Sequence, residues 1–317
     1  MTINVLHKDP YIIYVPSVSL NDELKQLKQH LSGKTVYFLI APYWHVCDYT
    51  VKEYVTFLSN NKPNHNIIIL ANSNFDQQQF NKLNTQNILC SHNAFVDPNI
   101  FKIVESVKQY NAIYNARFNP TKRHYLANKI SKLACTTWGF ANDSEREYLK
   151  QIQQTQDIIV LNNIQDNKII SKKPHEVNLA YSLAYVALCL SASEGAMYSS
   201  IEYLLAGLPI VSTESKGGRD LFFDSNNSII VEENPDSVYS AVQKWISKYN
   251  QIDRQSIRHQ AIKIQAEHIN RFKALLSSIL SKHNISLDID ELYKSKYTNK
   301  LLNWYPDLKS FLATIPL

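Results

Sequence analysis

The sequence predicts an α/β protein made of two doubly wound halves and a helical C-terminal tail. Three observations point there. Short apolar runs alternate with stretches of helical period, the pattern of βαβ units around a parallel sheet. The alternation pauses at a turn-rich segment, SHNAFVDPN at 91–99, and then restarts. A long amphipathic stretch follows the second series.

In the first series, strands are expected at 11–15, 35–40, 66–71 and 87–90, with helices near 21–30, 51–60 and 76–82. After the break, strands are expected at 112–115, 133–137, 158–161, 186–190, 209–212 and 228–231. Helices alternate with them near 122–130, 144–154, 176–181, 196–205 and 236–248. In the amphipathic stretch, Ile257, Ala261, Ile264, Ile269, Phe272, Leu276 and Ile279 recur at three-to-five-residue intervals. Arg254, Arg258, Lys263, Arg271 and Lys273 give that helix a basic aspect. A solvated face is the ordinary reading, and contact with an anionic membrane surface is the alternative. The divisions are 1–95, 96–285 and a tail at 286–317, whose segment KLLNWYPDLKSFL can pack back on the first half.

Composition narrows the class. A chain of 317 residues that is 44% hydrophobic is globular, and its formal charge of +5 is too small to argue for nucleic acid. Four scattered cysteines, Cys47, Cys90, Cys135 and Cys189, fit a reducing cytosol better than a disulfide framework. No metal-ligand spacing of Cys and His is present, and no metal and no cofactor is expected. The start, MTINVLHKDP, does not read as a signal peptide, and the apolar stretch at 177–190 is too short and polar to span a bilayer.

The chemistry concentrates in LSASEGAMYSSIEYLLAGLPIVSTESKGGRD, which holds four of the six glycines: Gly195, Gly207, Gly217 and Gly218. Glycine serves where a backbone needs positive φ or close approach. Glu194 stands in a turn between an expected strand and helix, at the carboxyl edge where ligands of open α/β sheets bind. The residues after it, Gly195, Ala196, Met197 and Tyr198, would form a helix start whose N–H groups suit phosphate. Glu202 follows eight residues on, about 80° away around the helix. Read alone, the same spacing fits a surface acid and a first-turn charge.

Arg117 and Lys122, in YNARFNPTKRH, stand beyond another strand end, where two cations suit a diphosphate. With Arg123 and His124 beside them, ordinary surface basicity is the competing reading. The Gly217-Gly218 pair exposes backbone for an anion or a sugar hydroxyl, or forms a flexible turn. Gly207, before Pro209, reads as a helix C-cap. In the first half, His45 lies beyond a strand end beside Trp44 and Asp48; it either orients an acceptor or is a half-buried structural histidine.

Taken in order, Arg-x4-Lys, Glu-Gly-x6-Glu-Tyr-x3-Gly-x-Pro and Gly-Gly resemble the donor-binding domain of glycosyltransferase family 4 over about 111–248. The resemblance implies the GT-B fold, two Rossmann-like domains facing a cleft. It implies that Arg117 and Lys122 contact the donor diphosphate, Glu194 the sugar and Glu202 the ribose. It further implies amides of 195–198 at the distal phosphate and backbone of Asn162 to Ile164 at the nucleobase. His92 and Asn93 resemble the Asn-Gly turn that ends the family's first domain. Two departures stand out. The family's Lys-Gly is Lys122-Arg123 here, and its Gly-rich turn is only Trp138-Gly139-Phe140.

The activity so implied is metal-independent transfer of a sugar, with retention, from a UDP- or GDP-linked donor to a hydroxyl on a glycan or lipid-linked acceptor. Bacterial surface glycan synthesis is the expected setting, in the cytoplasm and possible also at the inner membrane face. The alternatives are a GT-B sugar-nucleotide epimerase and a non-catalytic nucleotide- or carbohydrate-binding subunit.

Overall fold

The computed structural model describes residues 2–16, 22–46, 64–140, 142–165, 168–304 and 308–314. The expected helix at 51–60, with Cys47 and Asp48, lies outside the described residues.

The N-terminal half opens with β1 (Thr2–Lys8), followed by β2 (Tyr11–Val15), α1 (Asp22–His30), β3 (Val36–Ile40), β4 (His65–Ala71), α2 (Asn74–Lys82) and β5 (Asn87–Leu89). Strands β2 to β5 pair in parallel. The first strand was not expected from sequence. It runs antiparallel to β2, with a bulge between Val5 and His7 that breaks its simple alternation. Five successive buried residues in β2 and in β3 mark strands covered on both faces. On one face Leu27 of α1, Leu31 just after it and Phe80 of α2 close the core.

The C-terminal half contains β6 (Tyr110–Asn115), β7 (Leu133–Thr136), α3 (Asp143–Thr155), β8 (Ile158–Val160) and the small ribbon β9 (Ile164–Gln165) and β10 (Lys168–Ile169). Then come α4 (Pro174–Ser182), β11 (Ala184–Cys189), β12 (Ser193–Glu194), α5 (Tyr198–Leu205), β13 (Ile210–Thr213), β14 (Lys216–Gly217), β15 (Ser228–Val231) and α6 (Pro235–Lys248). Its main sheet has the order β15-β13-β11-β6-β7-β8, and its strands pair in parallel. Strand order therefore reverses between β6 and β11, which makes their carboxyl ends the topological switch point. Where sequence predicts a helix at 122–130, the structure has two 3₁₀ turns, Pro120–Lys122 and His124–Ala127. Arg123 between them adopts φ +51°, which no continuous helix allows.

The long helix is α7 (Arg254–Lys282). Its first part packs Ile257 and Ala261 into the C-terminal core. Its last part packs Phe272, Leu276, Ile279 and Leu280 onto the second face of the N-terminal sheet. At the crossing the buried residues turn polar. Gln265 donates to the carbonyls of Asn93 and Val96 at 3.3 and 3.0 Å, and His268 Nδ1 accepts from the Ser91 amide at 3.2 Å. Several of its bases do not form a free basic face. Arg258 donates to the carbonyls of Phe101, Leu205 and Pro98, each at 2.6 Å; Lys273 pairs with Asp290 at 2.6 Å and Arg254 with Glu105 at 3.1 Å. No helix among the described residues is long and apolar enough to cross a membrane.

The tail comprises α8 (Ile289–Lys296), β16 (Asn303–Trp304) and α9 (Leu308–Leu312). Strand β16 extends the N-terminal sheet by pairing antiparallel with β1, and Phe311 enters the core beside α1 and α2.

The glycine cluster is the seam between the halves. The Gly195 amide donates to the Tyr43 carbonyl at 3.0 Å, and any Cβ there would collide with the same backbone. The Gly218 amide donates to the Gly195 carbonyl at 2.7 Å while its Cα faces Asn72. Gly217, at φ +97°, pairs with Glu194 in the β12–β14 ribbon, where a side chain would overlap the Glu194 carbonyl. Gly207 ends α5 at φ +67°.

Gly217→Ala is expected to lower stability by about 1–3 kcal/mol from backbone strain alone. Gly33, with nothing within 4 Å of a built Cβ, is the control: Gly33→Ala should be neutral or slightly stabilising. Urea unfolding midpoints decide this; equal midpoints for the two variants contradict the assignment.

Candidate functional site

A cavity of about 620 Å³ opens at the switch point between β6 and β11. Four groups of residues build its wall. Asn115, Ala116, Arg117 and Lys122 follow β6; Thr136, Thr137 and Trp138 follow β7. Glu194 and the start of α5, with Ala196, Met197, Tyr198, Ser199 and Glu202, line it as well. Tyr43 and His92 come from the N-terminal half, and Asn299 and Lys300 from the tail.

Local geometry explains why each charge is presented. The Tyr114 hydroxyl donates to the Lys122 carbonyl at 2.7 Å, and the Lys122 amide to the Asn119 carbonyl at 3.1 Å. That turn holds the Lys122 ammonium against Glu194 Oε1, its ion-pair partner. Arg117 leaves the strand end, and its Nε donates to Glu145 Oε1 on α3 at 2.9 Å. Its guanidinium stays 46% exposed, so it can still turn toward a ligand.

Glu202 is 3% exposed, with one partner on each oxygen. Oε1 receives Lys300 Nζ at 2.8 Å, and Oε2 receives the Tyr181 hydroxyl at 2.7 Å. Tyr181 in turn accepts from Asn115 Nδ2 at 2.6 Å, which fixes its hydroxyl proton toward Glu202. Burial and the nearby Glu202 charge push the Tyr181 phenol well above its ordinary range. It is a permanent donor.

The seam supplies the remaining wall. His92 Nε2 lies 2.9 Å from the Ala196 carbonyl. A carbonyl only accepts, so Nε2 carries the proton and Nδ1 is bare. Burial pushes the His92 imidazole down to about 4; its bond to Ala196 opposes this and the Lys300 charge assists it. Asn93 Nδ2 donates to the Met197 carbonyl at 3.2 Å. Tyr198 lies between His92, at 4.6 Å between ring centres, and Lys300, whose Nζ is 4.5 Å from its ring centre.

The predicted site residues divide sharply. Arg117, Lys122, Glu194, Glu202, Ala196, Met197 and Tyr198 share the cavity wall. Gly195, Gly217 and Gly218 do not; their backbones serve the seam and the β12–β14 ribbon, so the Gly195 amide points at Tyr43 rather than at a phosphate. His45 is also elsewhere: 3% exposed, with Nδ1 2.9 Å from Asp76 Oδ1, it takes the structural reading of the two weighed for it. The Asn162 side chain is used up in bonds to the Thr137 amide and carbonyl, both 2.9 Å, and to the Ile170 carbonyl at 3.0 Å. Ile164 is exposed on the β9–β10 ribbon. A second hollow of about 580 Å³ adjoins the cavity, sharing Arg117 and Trp138 and adding Phe140, Arg146 and Lys168.

Arg123 and His124 are not surface bases. Arg123 is buried and donates to the Thr213 hydroxyl at 2.6 Å. His124 is fully buried between Tyr114 and Phe118, and burial, then the Lys122 charge, pushes it down to about 3. Arg219, after the Gly-Gly pair, is 0% exposed and donates to the Ser191 carbonyl and the Ser212 hydroxyl. Sequence reasoning missed Lys300, Tyr181 and Glu145. For Lys300 no local pattern could have served, since its partner lies 98 positions away across the fold.

Residues 112–248, from β6 to the end of α6, match the family described as Glycosyl transferases group 1. No protein of curated description matches the chain in sequence. Among solved structures, a sucrose-phosphate synthase from Thermosynechococcus elongatus superposes with a TM-score of 0.60 at 11% identity, over 84% of this chain and 74% of that one. Anabaena HepE, solved with UDP, gives 0.59 at 12% identity over 82% of each chain. A glycosyltransferase from Rickettsia africae gives 0.52 at 14% identity, over 81% of this chain and 83% of that one. At these identities the likeness establishes the two-domain GT-B fold.

Three buried histidines, His92, His124 and His268, have imidazoles pushed below the ordinary 6.5, to about 4, 3 and 4. Each binds its proton more readily unfolded than folded. Their contribution to stability is therefore complete above pH about 6.5 and falls as pH drops toward 4. The expected slope approaches about 1.4 kcal/mol per pH unit for each histidine. Urea unfolding between pH 7 and 5 measures it, and a flat profile over that window contradicts the burial of neutral imidazoles.

Proposed function

We propose that this chain, whose residues 112–248 form a group 1 glycosyltransferase domain, transfers a sugar from a nucleoside diphosphate sugar to a hydroxyl acceptor with retention at the anomeric carbon. The observation that carries the reading is the pairing of Lys122 with Glu194 inside the switch-point cavity, with Arg117 and the first turn of α5 on the same wall.

In the reaction the bond between the anomeric carbon and the diphosphate oxygen breaks. Its electron pair leaves on that oxygen, the acceptor oxygen forms the new bond, and the acceptor hydroxyl's proton passes to the departing diphosphate. The chain's task is to stabilise the charge that develops on the diphosphate. Lys122 and Arg117 supply two cations for it, and the helix start at Ala196–Ser199 supplies backbone dipole. Glu194 holds Lys122 in place without donor and is available to the sugar hydroxyls with it. Glu202, buried and paired with Lys300, is the acceptor for the ribose hydroxyls.

A charge set of this kind can stabilise the leaving diphosphate without a divalent ion. HepE is solved with UDP and with UDP-glucose, which makes uridine donors the first to test, with GDP-linked donors second. A glycan or lipid-linked acceptor in bacterial surface glycan synthesis, used in the cytoplasm at the inner membrane face, is the setting proposed.

Lys122→Ala and Glu194→Ala are each expected to lower kcat/KM by about 10²–10³-fold while the thermal transition persists. Normal turnover in both folded variants refutes the site. UDP at a hundred times its Kd should stabilise the protein by about 2.7 kcal/mol in a thermal-shift assay. Activity should also survive a chelator in full; dependence on added Mn²⁺ or Mg²⁺ contradicts the metal-independent reading.

A further inference from the structure

The tail delivers one charge into the cavity of the opposite half. Lys300 sits on the short turn Asn299–Leu301, where Lys300 and Leu301 hold φ of +63° and +55°. Non-glycine residues keep that conformation only where surrounding contacts impose it. Here the contacts are explicit. Asn299 Oδ1 accepts from the Asp97 amide at 3.0 Å, and Leu301 is fully buried in the N-terminal core. Between these anchors the Lys300 side chain reaches Glu202 at 2.8 Å and passes over the Tyr198 ring.

Glu202 needs that cation. A buried carboxylate without an opposite charge is driven toward its neutral form. A carboxylate offers about four acceptor positions, and Lys300 and Tyr181 take one on each oxygen. Glu202 lines the cavity, so its remaining positions can serve a ligand hydroxyl without displacing either partner. A charged acceptor bonds a hydroxyl roughly twice as strongly as a neutral one.

We propose that Lys300 is a positioning residue for the donor: through its ion pair it holds the Glu202 carboxylate oriented for the ribose hydroxyls, and so couples docking of the C-terminal tail to donor affinity. The proposal rests on the reading of Glu202 as the ribose acceptor. Because such coupling is reciprocal, a bound nucleotide also tightens the tail onto the body.

The test is calorimetric titration of the full chain with UDP, or with GDP where UDP does not bind, and with the 2′,3′-dideoxy form of the same nucleotide. The unsubstituted protein is expected to prefer the ribonucleotide by about tenfold or more, the range for a hydrogen bond to a charged group. Lys300→Met should reduce affinity for the ribonucleotide about tenfold and leave that for the dideoxy form unchanged, so the preference collapses. Lys300→Arg should restore it. Lys300→Gln, which keeps a donor but no charge, should collapse it as Met does and serves where the Met variant does not fold. Equal loss of both nucleotides in the Met or Gln variant, or no loss, overturns the role of Lys300 alone. An unsubstituted protein that binds neither UDP nor GDP overturns the donor reading beneath it, and one that binds both sugar forms equally overturns Glu202 as the ribose acceptor.

Discussion

The two halves touch backbone to backbone, and the rest of the site depends on that closeness. Gly195 has no side chain to hold the Tyr43 strand end away, so its amide bonds directly to the Tyr43 carbonyl. The seam is then reinforced from both sides. Asn72 Nδ2 donates to the Pro42 carbonyl at 2.7 Å, its Oδ1 accepts from the His92 amide at 3.2 Å, and His92 and Asn93 cap the carbonyls that precede α5. These are neutral hydrogen bonds in a dry place. Each is individually modest, yet an unpaired member would carry a full desolvation cost. The cavity floor is thus fixed by groups that cannot easily rearrange.

Against that fixed seam, the acids of the cavity stand paired before any ligand arrives. Lys122 with Glu194, Arg117 with Glu145 and Lys300 with Glu202 leave each wall close to neutral. A ligand carrying a diphosphate and hydroxyls can then exchange partners with the cations and acids rather than meet bare charge. The cations that never face the cavity, Arg123 and Arg219, do different work. They bond to carbonyls and hydroxyls at the ends of β11 and β13, where parallel strands expose unpaired acceptors.

Much of this was legible in the residues. Strict strand–helix alternation reported both halves, and β15 and α7 were located closely because β-branched runs and a long apolar stripe are local signals. The order Arg117, Lys122, Glu194, Glu202 identified one wall of the cavity, since ligand sites of parallel sheets collect at strand ends. What failed to show were features fixed by tertiary contact. The bases around Arg117 looked alike in sequence, and only burial separates Arg123 and His124 from Lys122. The glycines looked like ligand-facing backbone, whereas two of them serve close approach between halves. β1 escaped because a bulged antiparallel strand lacks clean alternation.

The least legible residue, Lys300, follows from an incomplete sheet. Helices α1 and α2 cover one face of the N-terminal strands, and on the other face, among the described residues, Phe95, α7 and the tail bury Ile12, Tyr14, Leu39 and Leu70. The chain must therefore leave the C-terminal half along α7, cross the seam at Gln265 and His268, and return to β1 through α8 and β16. That path carries the turn at Asn299–Leu301 past Asp97 and into the wall of the cavity. A requirement of hydrophobic cover in one half thus places a positive charge beside an acid in the other. The same few residues then serve two ends at once, closing a core with Leu301 and completing a binding wall with Lys300.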